Sequence, residues 1–186
     1  MRREVIDLSA ALSARAALLP ESLGASAEAV ARQQDALLDQ FRVLLEHHFA
    51  AVRIRTHGDC HLGQVLFTGK DFVFIDFEGI SRASLGERRL KRSALRDVVG
   101  ILRSFDYAAH SVLYGLNADQ GRPVGNVRVF DRAVLTPWAA FWSRAVGETF
   151  LRAYLTRPGI ATLVPSDLVR TEQLLQIFIT ERLVLE

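Results

Sequence analysis

The chain has 186 residues, 49% of them apolar and 24% charged, with a net charge of +2; this composition suits one well-buried domain or one large lobe and excludes a disordered chain. No apolar run approaches the ~20 residues of a membrane helix, and Glu4 and Asp7 interrupt any signal-peptide core at the start, so a cytoplasmic location and no membrane partner are expected. Cys60 stands alone and cannot form an internal disulfide, and so small a net charge gives no reason to expect nucleic acid.

Residues 1–25 are rich in Ala and Leu, and they predict a helix that stops near Leu19-Pro20, because the residue before a proline disfavours the helical region. Ser26 is placed to cap a second helix, in which Val30, Leu37, Leu38, Phe41, Leu44, Leu45 and Phe49 recur at helical spacing and predict a core-facing side. At residue 51 the period changes. Val52 and Ile54 alternate with Arg53 and Arg55, a short strand running into Thr56-His57-Gly58-Asp59. Val65-Leu66-Phe67 and Phe72-Val73-Phe74-Ile75 flank the polar turn Thr68-Gly69-Lys70-Asp71, which reads as a β-hairpin.

A basic stretch follows, with Arg82, Arg88, Arg89, Lys91, Arg92, Arg96 and Arg103 opposed only by Glu87 and Asp97. It is a solvated charged face or an electropositive rim that attracts phosphate. Leu95 to Tyr107 predicts a helix that buries Val98, Val99, Ile101, Leu102 and Phe105, and residues 117–128 read as a loop. Thr136-Pro137 has the form of a helix start, followed by Trp138, Phe141, Trp142, Ala145, Val146, Thr149 and Ala153 on one face, with both tryptophans expected in the core. A last helix begins near Ser166-Asp167 and carries Leu174, Leu175, Phe178 and Ile179 on to Glu186. The expected fold is mainly α with a small β-hairpin, a helical lead-in over 1–50, a loop and hairpin over 51–80 and a helical part over 81–186, and not an alternating βαβ sheet.

Two polar segments flank the hairpin: His57-Gly58-Asp59-Cys60-His61-Leu62-Gly63-Gln64 and Ile75-Asp76-Phe77-Glu78. A hairpin returns the chain, so Asp59, Gln64 and Asp76 are expected to converge. Phosphoryl transfer to a hydroxyl asks for one carboxylate at the attacking oxygen and oxygen ligands for a Mg²⁺ on the phosphates. Kinase-type loops place a metal-side ligand five residues after the first aspartate and a second aspartate after the next hairpin. Gln64 and Asp76 stand in those places relative to Asp59.

The run Arg55 to Leu66 (RTHGDCHLGQVL), with Asp71 to Gly79 (DFVFIDFEG), resembles the catalytic core of maltokinases, sugar kinases of the aminoglycoside-phosphotransferase-like group found alone or fused to trehalose synthase. The likeness continues over Glu87 to Ala109 and thins through Phe141-Trp142 and Phe150 to Leu155, covering roughly residues 26–186. It implies the C-terminal lobe of a kinase-like fold and transfer from ATP, with Mg²⁺, to the anomeric hydroxyl of maltose. By the same resemblance Asp59 is the catalytic base and touches the sugar, while Gln64 and Asp76 hold the metal and the nucleotide. Arg103 is a salt-bridge partner or a substrate contact, and Glu78 reaches a second metal or pairs with an arginine. His57 and His61 brace the loop, and Cys60 fills space beneath it.

The first 50 residues offer no glycine-rich phosphate-covering loop, and Lys70 and Lys91, the only lysines, both follow the catalytic loop. An absent N-lobe is therefore expected, to be supplied by an adjoining chain or segment. The rival reading is a non-catalytic, pseudokinase-like binding lobe. A metal-dependent phosphoesterase, suggested by Gly58-Asp59-Cys60-His61, would also need a later Gly-Asp pair and a Gly-Asn-His segment, which the sequence lacks.

Overall fold

A computed structural model describes residues 1–80, 83–115 and 127–185. The chain divides into two compact units, Met1–Ala50 with Asp167–Glu186, and Ala51–Ser166. The first holds α1 (Arg2–Arg15), α2 (Glu21–Ala31), α3 (Gln34–Glu46) and α7 (Leu168–Leu185). The second holds β1 (Arg53–Ile54), β2 (Val65–Phe67), β3 (Phe72–Phe74), α4 (Leu85–Arg88), β4 (Arg92–Ser93), α5 (Leu95–Tyr114) and α6 (Arg132–Leu155). The architecture is mainly helical, with two small antiparallel ladders, as the hydrophobic periods predict.

In the first unit α1 passes through a tight turn at Ala16–Leu18, and Leu19 is extended ahead of Pro20, which ends the helical run where expected. The second helix differs from its prediction. It starts at Glu21, directly after Pro20, and Ser26 lies inside it with its hydroxyl donating to the Ser22 carbonyl at 2.9 Å instead of capping. The run then breaks, because Gln33 N–H bonds the Val30 carbonyl three residues back and Gln33 leaves the helical region (ψ 10°) before α3 resumes. No glycine or proline marks that break. The predicted core face is also shallower than its period implies: Leu37, Leu38, Phe41 and Leu44 are half-buried and Leu45 is 89% exposed. Val5 is fully buried, and Leu174, Leu175, Ile177 and Phe178 of α7 supply most of the remaining buried apolar side chains.

In the second unit β2 and β3 pair as Val65↔Phe74, Leu66↔Val73 and Phe67↔Phe72. Thr68 closes the turn, its N–H bonding the Asp71 carbonyl at 2.9 Å and its hydroxyl accepting from Asp71 N–H at 3.1 Å. β1 pairs with β4, a partner that two residues of alternation in Arg92-Ser93 could not announce. α5 is the core helix. Leu95, Val98, Val99, Ile101 and Phe105 are buried, and burial of such side chains contributes about 1.5–3 kcal/mol each. Ile101 and Phe105 form one cluster with Cys60, against which Leu62, Val65, Val146 and Phe150 pack.

α6 starts at Arg132, one turn before Thr136-Pro137. Thr136 caps nothing; its hydroxyl donates to the Arg132 carbonyl at 2.7 Å, and Pro137 sits within the second turn, where it has no N–H to give the Ala133 carbonyl. Trp138 and Phe141 are 67% and 65% exposed and meet edge to face, so the start of this stripe is not the core it was expected to be; Trp142 meets Phe105 edge to face, and Val146 packs against the core cluster. Most of the loop expected at 117–128 lies outside the described residues, as do Arg82 and Glu186.

α5 approaches the loop before the hairpin backbone to backbone. A Cβ on Gly100 would stand 2.1 Å from the Cys60 carbonyl oxygen, whereas a Cβ on Gly86 would meet nothing within 4 Å. Gly100→Ala is therefore expected to destabilise the fold by about 2–3 kcal/mol through overpacking. Gly86→Ala should be neutral or slightly stabilising by helix propensity. Urea unfolding midpoints of the two variants check this.

Candidate functional site

The loop is held from below by one stripe of α5. Asp97, in the first turn of that helix, accepts from His57 N–H at 2.7 Å through Oδ2 and from Gly58 N–H at 3.0 Å through Oδ1. Gly100 gives the close approach to Cys60. Ser104 accepts from Leu62 N–H at 3.1 Å and donates to its own helix at Ile101 O. Positions 97, 100 and 104 lie on one helical face. Asp97 and Ser104 are two among several polar residues of this amphipathic helix, with Arg96, Arg103, Asp106, His110 and Ser111, so nothing in the sequence singled them out.

The segments before and after the hairpin meet along a seam. His57 is 6% exposed; its Nε2–H donates to the Ile75 carbonyl at 2.8 Å and its ring lies 4.7 Å from that of Phe77. Because a carbonyl only accepts, the proton sits on Nε2, and Nδ1 is left buried with no hydrogen-bond partner among the described residues. A Cβ on Gly58 would come within 3.3 Å of the Gly79 Cα, so backbone touches backbone there as well. Between these contacts Asp76 takes a left-handed conformation (φ 64°), which aspartate tolerates better than most residues.

Gln64 and Asp76 are brought together, with Gln64 Nε2 donating to Asp76 Oδ2 at 2.9 Å. The ladder continues one step past the strands to place them, through Ile75 N–H on the Gln64 carbonyl at 3.0 Å. Since a carboxylate cannot donate, the amide nitrogen must face it, and this bond makes no use of Gln64 Oε1 or Asp76 Oδ1. Asp59 follows Gly58 at the seam and is half-buried. His61 folds over the tight turn at Leu62–Gln64, with Nδ1 accepting from Gly63 N–H at 3.1 Å.

Other residues of the sequence reading have partners elsewhere. Glu78 pairs with Arg88 at 3.9 Å. Arg103 pairs with Asp106 at 3.0 Å and lies over the Tyr107 ring. Among the described residues no group of three or more His, Cys, Asp or Glu forms a metal cage. The donor set still suits magnesium, which takes one or two carboxylates and fills the rest of its octahedron with water and phosphate oxygens. No helix among the described residues is long and apolar enough to cross a membrane.

No protein-family model matches the chain. A glucosamine kinase of Streptacidiphilus jiangxiensis is 30% identical to it over 115 residues, which are 62% of this chain and 22% of that protein. A solved glucosamine kinase, in complex with glucosamine, ADP and inorganic phosphate, superposes with a TM-score of 0.70 at 23% identity, over 98% of this chain and 38% of that one. A second crystal form of glucosamine kinase gives a TM-score of 0.67 at 24% identity, over 98% and 39%. The fold is thus shared with part of a sugar kinase. The chain spans 22% of the curated relative's length and 38% of the first solved structure's.

Burial pushes the Cys60 thiol up to about 12 from 9.0, with the charges of Asp97 and then Asp59 adding to it. The unfolded thiol ionises above pH 9 while the folded one keeps its proton, so this group makes stability fall as pH rises between about 9 and 12. Folded protein at pH 8 should leave Cys60 unalkylated by iodoacetamide, and urea-unfolded protein should be modified readily. Asp97→Ala should cost about 2–3 kcal/mol, because the His57 amide is left buried without an acceptor, and should make Cys60 reactive under native conditions; mass spectrometry and urea unfolding read both.

Proposed function

We propose that this chain is the part of an ATP-dependent sugar phosphotransferase that carries the catalytic loop. The observation that supports it best is the Gln64–Asp76 pair at 2.9 Å, set at the end of a hairpin beside the Asp59 loop. The reaction transfers the terminal phosphoryl of ATP to a sugar hydroxyl. The new P–O bond forms to the sugar oxygen, the bond to the ADP oxygen breaks, and the hydroxyl proton goes to Asp59. In this reading Asp59 orients the hydroxyl and takes its proton at a carboxylate oxygen. Gln64 Oε1 and the Asp76 carboxylate hold Mg²⁺, which when bound neutralises charge on the phosphates. His57 and Asp97 fix the loop so that Asp59 meets the acceptor without reorganising.

The acceptor favoured by the glucosamine kinase relatives is an amino sugar, glucosamine. Maltose is the second acceptor, favoured by the resemblance of Arg55–Leu66 and Asp71–Gly79 to maltokinases. A phosphate-covering loop and a lysine on the phosphates come, in this proposal, from an N-lobe elsewhere in a longer protein or on an adjoining chain, a trehalose synthase fusion included. That both lysines of these 186 residues follow the loop favours one competing reading, a non-catalytic binding lobe.

A coupled assay for ADP release, with mass detection of the sugar phosphate, tests the proposal. The chain alone should turn over negligibly. Fused to the N-terminal part of the glucosamine kinase relative, it should phosphorylate glucosamine or maltose with ATP and Mg²⁺. In the fusion Asp59→Asn should lower kcat by a factor of about 10² or more, as when a positioned base is lost. Asp76→Asn should abolish Mg²⁺-dependent turnover and leave the unfolding midpoint in place. A folded fusion silent on both sugars and on a wider sugar panel would favour the binding lobe instead.

A further inference from the structure

The β1–β4 ladder concentrates positive charge on one face. Its register pairs Arg53 with Ser93 and Ile54 with Arg92, and one further step of the same register, just past the two strands, sets Arg55 opposite Lys91. Residues two apart on a strand share a face, and directly opposed residues share it too. With the register continued by that step, Arg53, Arg55 and Lys91 share one side with Ser93, and Arg92 takes the other. Side-chain origins in such an arrangement are separated by about 5–8 Å.

All three cations are exposed, and none forms a salt bridge with a described residue. The nearby acids are committed elsewhere. Asp97 accepts from the His57 and Gly58 amides, and Glu87 accepts from Ser84 N–H and from the Ser84 hydroxyl, both at 2.8 Å. Like charges opposed across a ladder are destabilising, and this ladder has only two pairs of residues to oppose that repulsion. Two guanidinium forks and an ammonium within that span suit a phosphate dianion, which offers three oxygens to bidentate and single donors.

We infer that the Arg53–Arg55–Lys91 face is an anion site for a phosphate group, either free phosphate or the phosphate of a phosphorylated sugar. Its position gives occupancy a consequence. β1 runs directly into His57 and β4 directly into α5, and Asp97 joins those two segments again two residues further along. An anion across the ladder bridges β1 and β4 and offsets the repulsion between their cations. The site makes no use of Gln64 or Asp76, and it stands whether or not the phosphotransferase reading does.

Isothermal titration of the chain in EDTA tests this, with inorganic phosphate, pyrophosphate and glucose 6-phosphate as separate ligands at matched ionic strength. Saturable binding of at least one is expected, weakening with added salt. Inorganic phosphate as the tightest ligand would identify a free-phosphate site, and glucose 6-phosphate as the tightest a sugar-phosphate site. Arg55→Ser and Lys91→Ser should each weaken binding about tenfold, the size of one lost charge-assisted hydrogen bond, and Arg55→Lys should recover part of it. Arg144→Ser and Arg152→Ser, exposed cations on α6, should leave binding unchanged, as should Asp76→Asn. No saturable binding by any of the three ligands, or equal weakening by the α6 variants, would overturn the inference.

Discussion

The carboxylate of Asp97 holds two consecutive backbone amides, those of His57 and Gly58, across 40 and 39 residues of sequence. Asp59, Gln64 and Asp76 lie within a few residues of that clamp or of the hairpin beside it. The loop that carries Asp59 has backbone N–H groups that need acceptors, and burying them unpaired is costly. α5 meets the need with a rigid helix, using a charged acceptor at Asp97, a bare backbone at Gly100 and a hydroxyl at Ser104. The loop is therefore as stiff as the helix beneath it, whose opposite side carries the buried Leu95, Val98 and Val99.

From that base order passes to the hairpin through His57. Its backbone belongs to the clamp and its ring to the hairpin's exit, through Ile75 and Phe77. An isolated two-stranded hairpin is marginally stable in water, and this one leaves Phe67, Phe72 and Phe74 exposed. Its register near Asp76 is thus maintained by the seam with the loop as well as by its own ladder. The Gln64–Asp76 bond, and the left-handed turn at Asp76, sit where these two supports meet.

How much of this was legible in the sequence depended on whether each feature repeats. The hairpin strands are two apolar runs around a polar turn, the apolar side of α5 and the last helix repeat at helical spacing, and these elements form where the pattern places them. The spacing of Asp59, Gln64 and Asp76 around a hairpin predicted convergence, and the structure joins Gln64 to Asp76 directly. Features made by single long-range contacts gave no such pattern. The break at Arg32-Gln33 has no glycine or proline, β4 is two residues long, and Thr136-Pro137 has the composition of a cap while lying inside α6. Asp97 read as one acid in a basic stretch; its role exists only because the fold brings it beneath the loop. Trp138 and Phe141 show the converse, an apolar spacing that suggests a core and is exposed here.

Whether α5 and the loop form one cooperative unit is measured directly by native-state hydrogen exchange. The amides of His57, Gly58 and Leu62 should exchange with the same opening free energy as those of Val99 and Ile101 in α5, because they are released only when the helix itself opens. Rapid exchange of the three loop amides, while α5 stays protected, would show that the clamp does not hold the loop and would contradict the account.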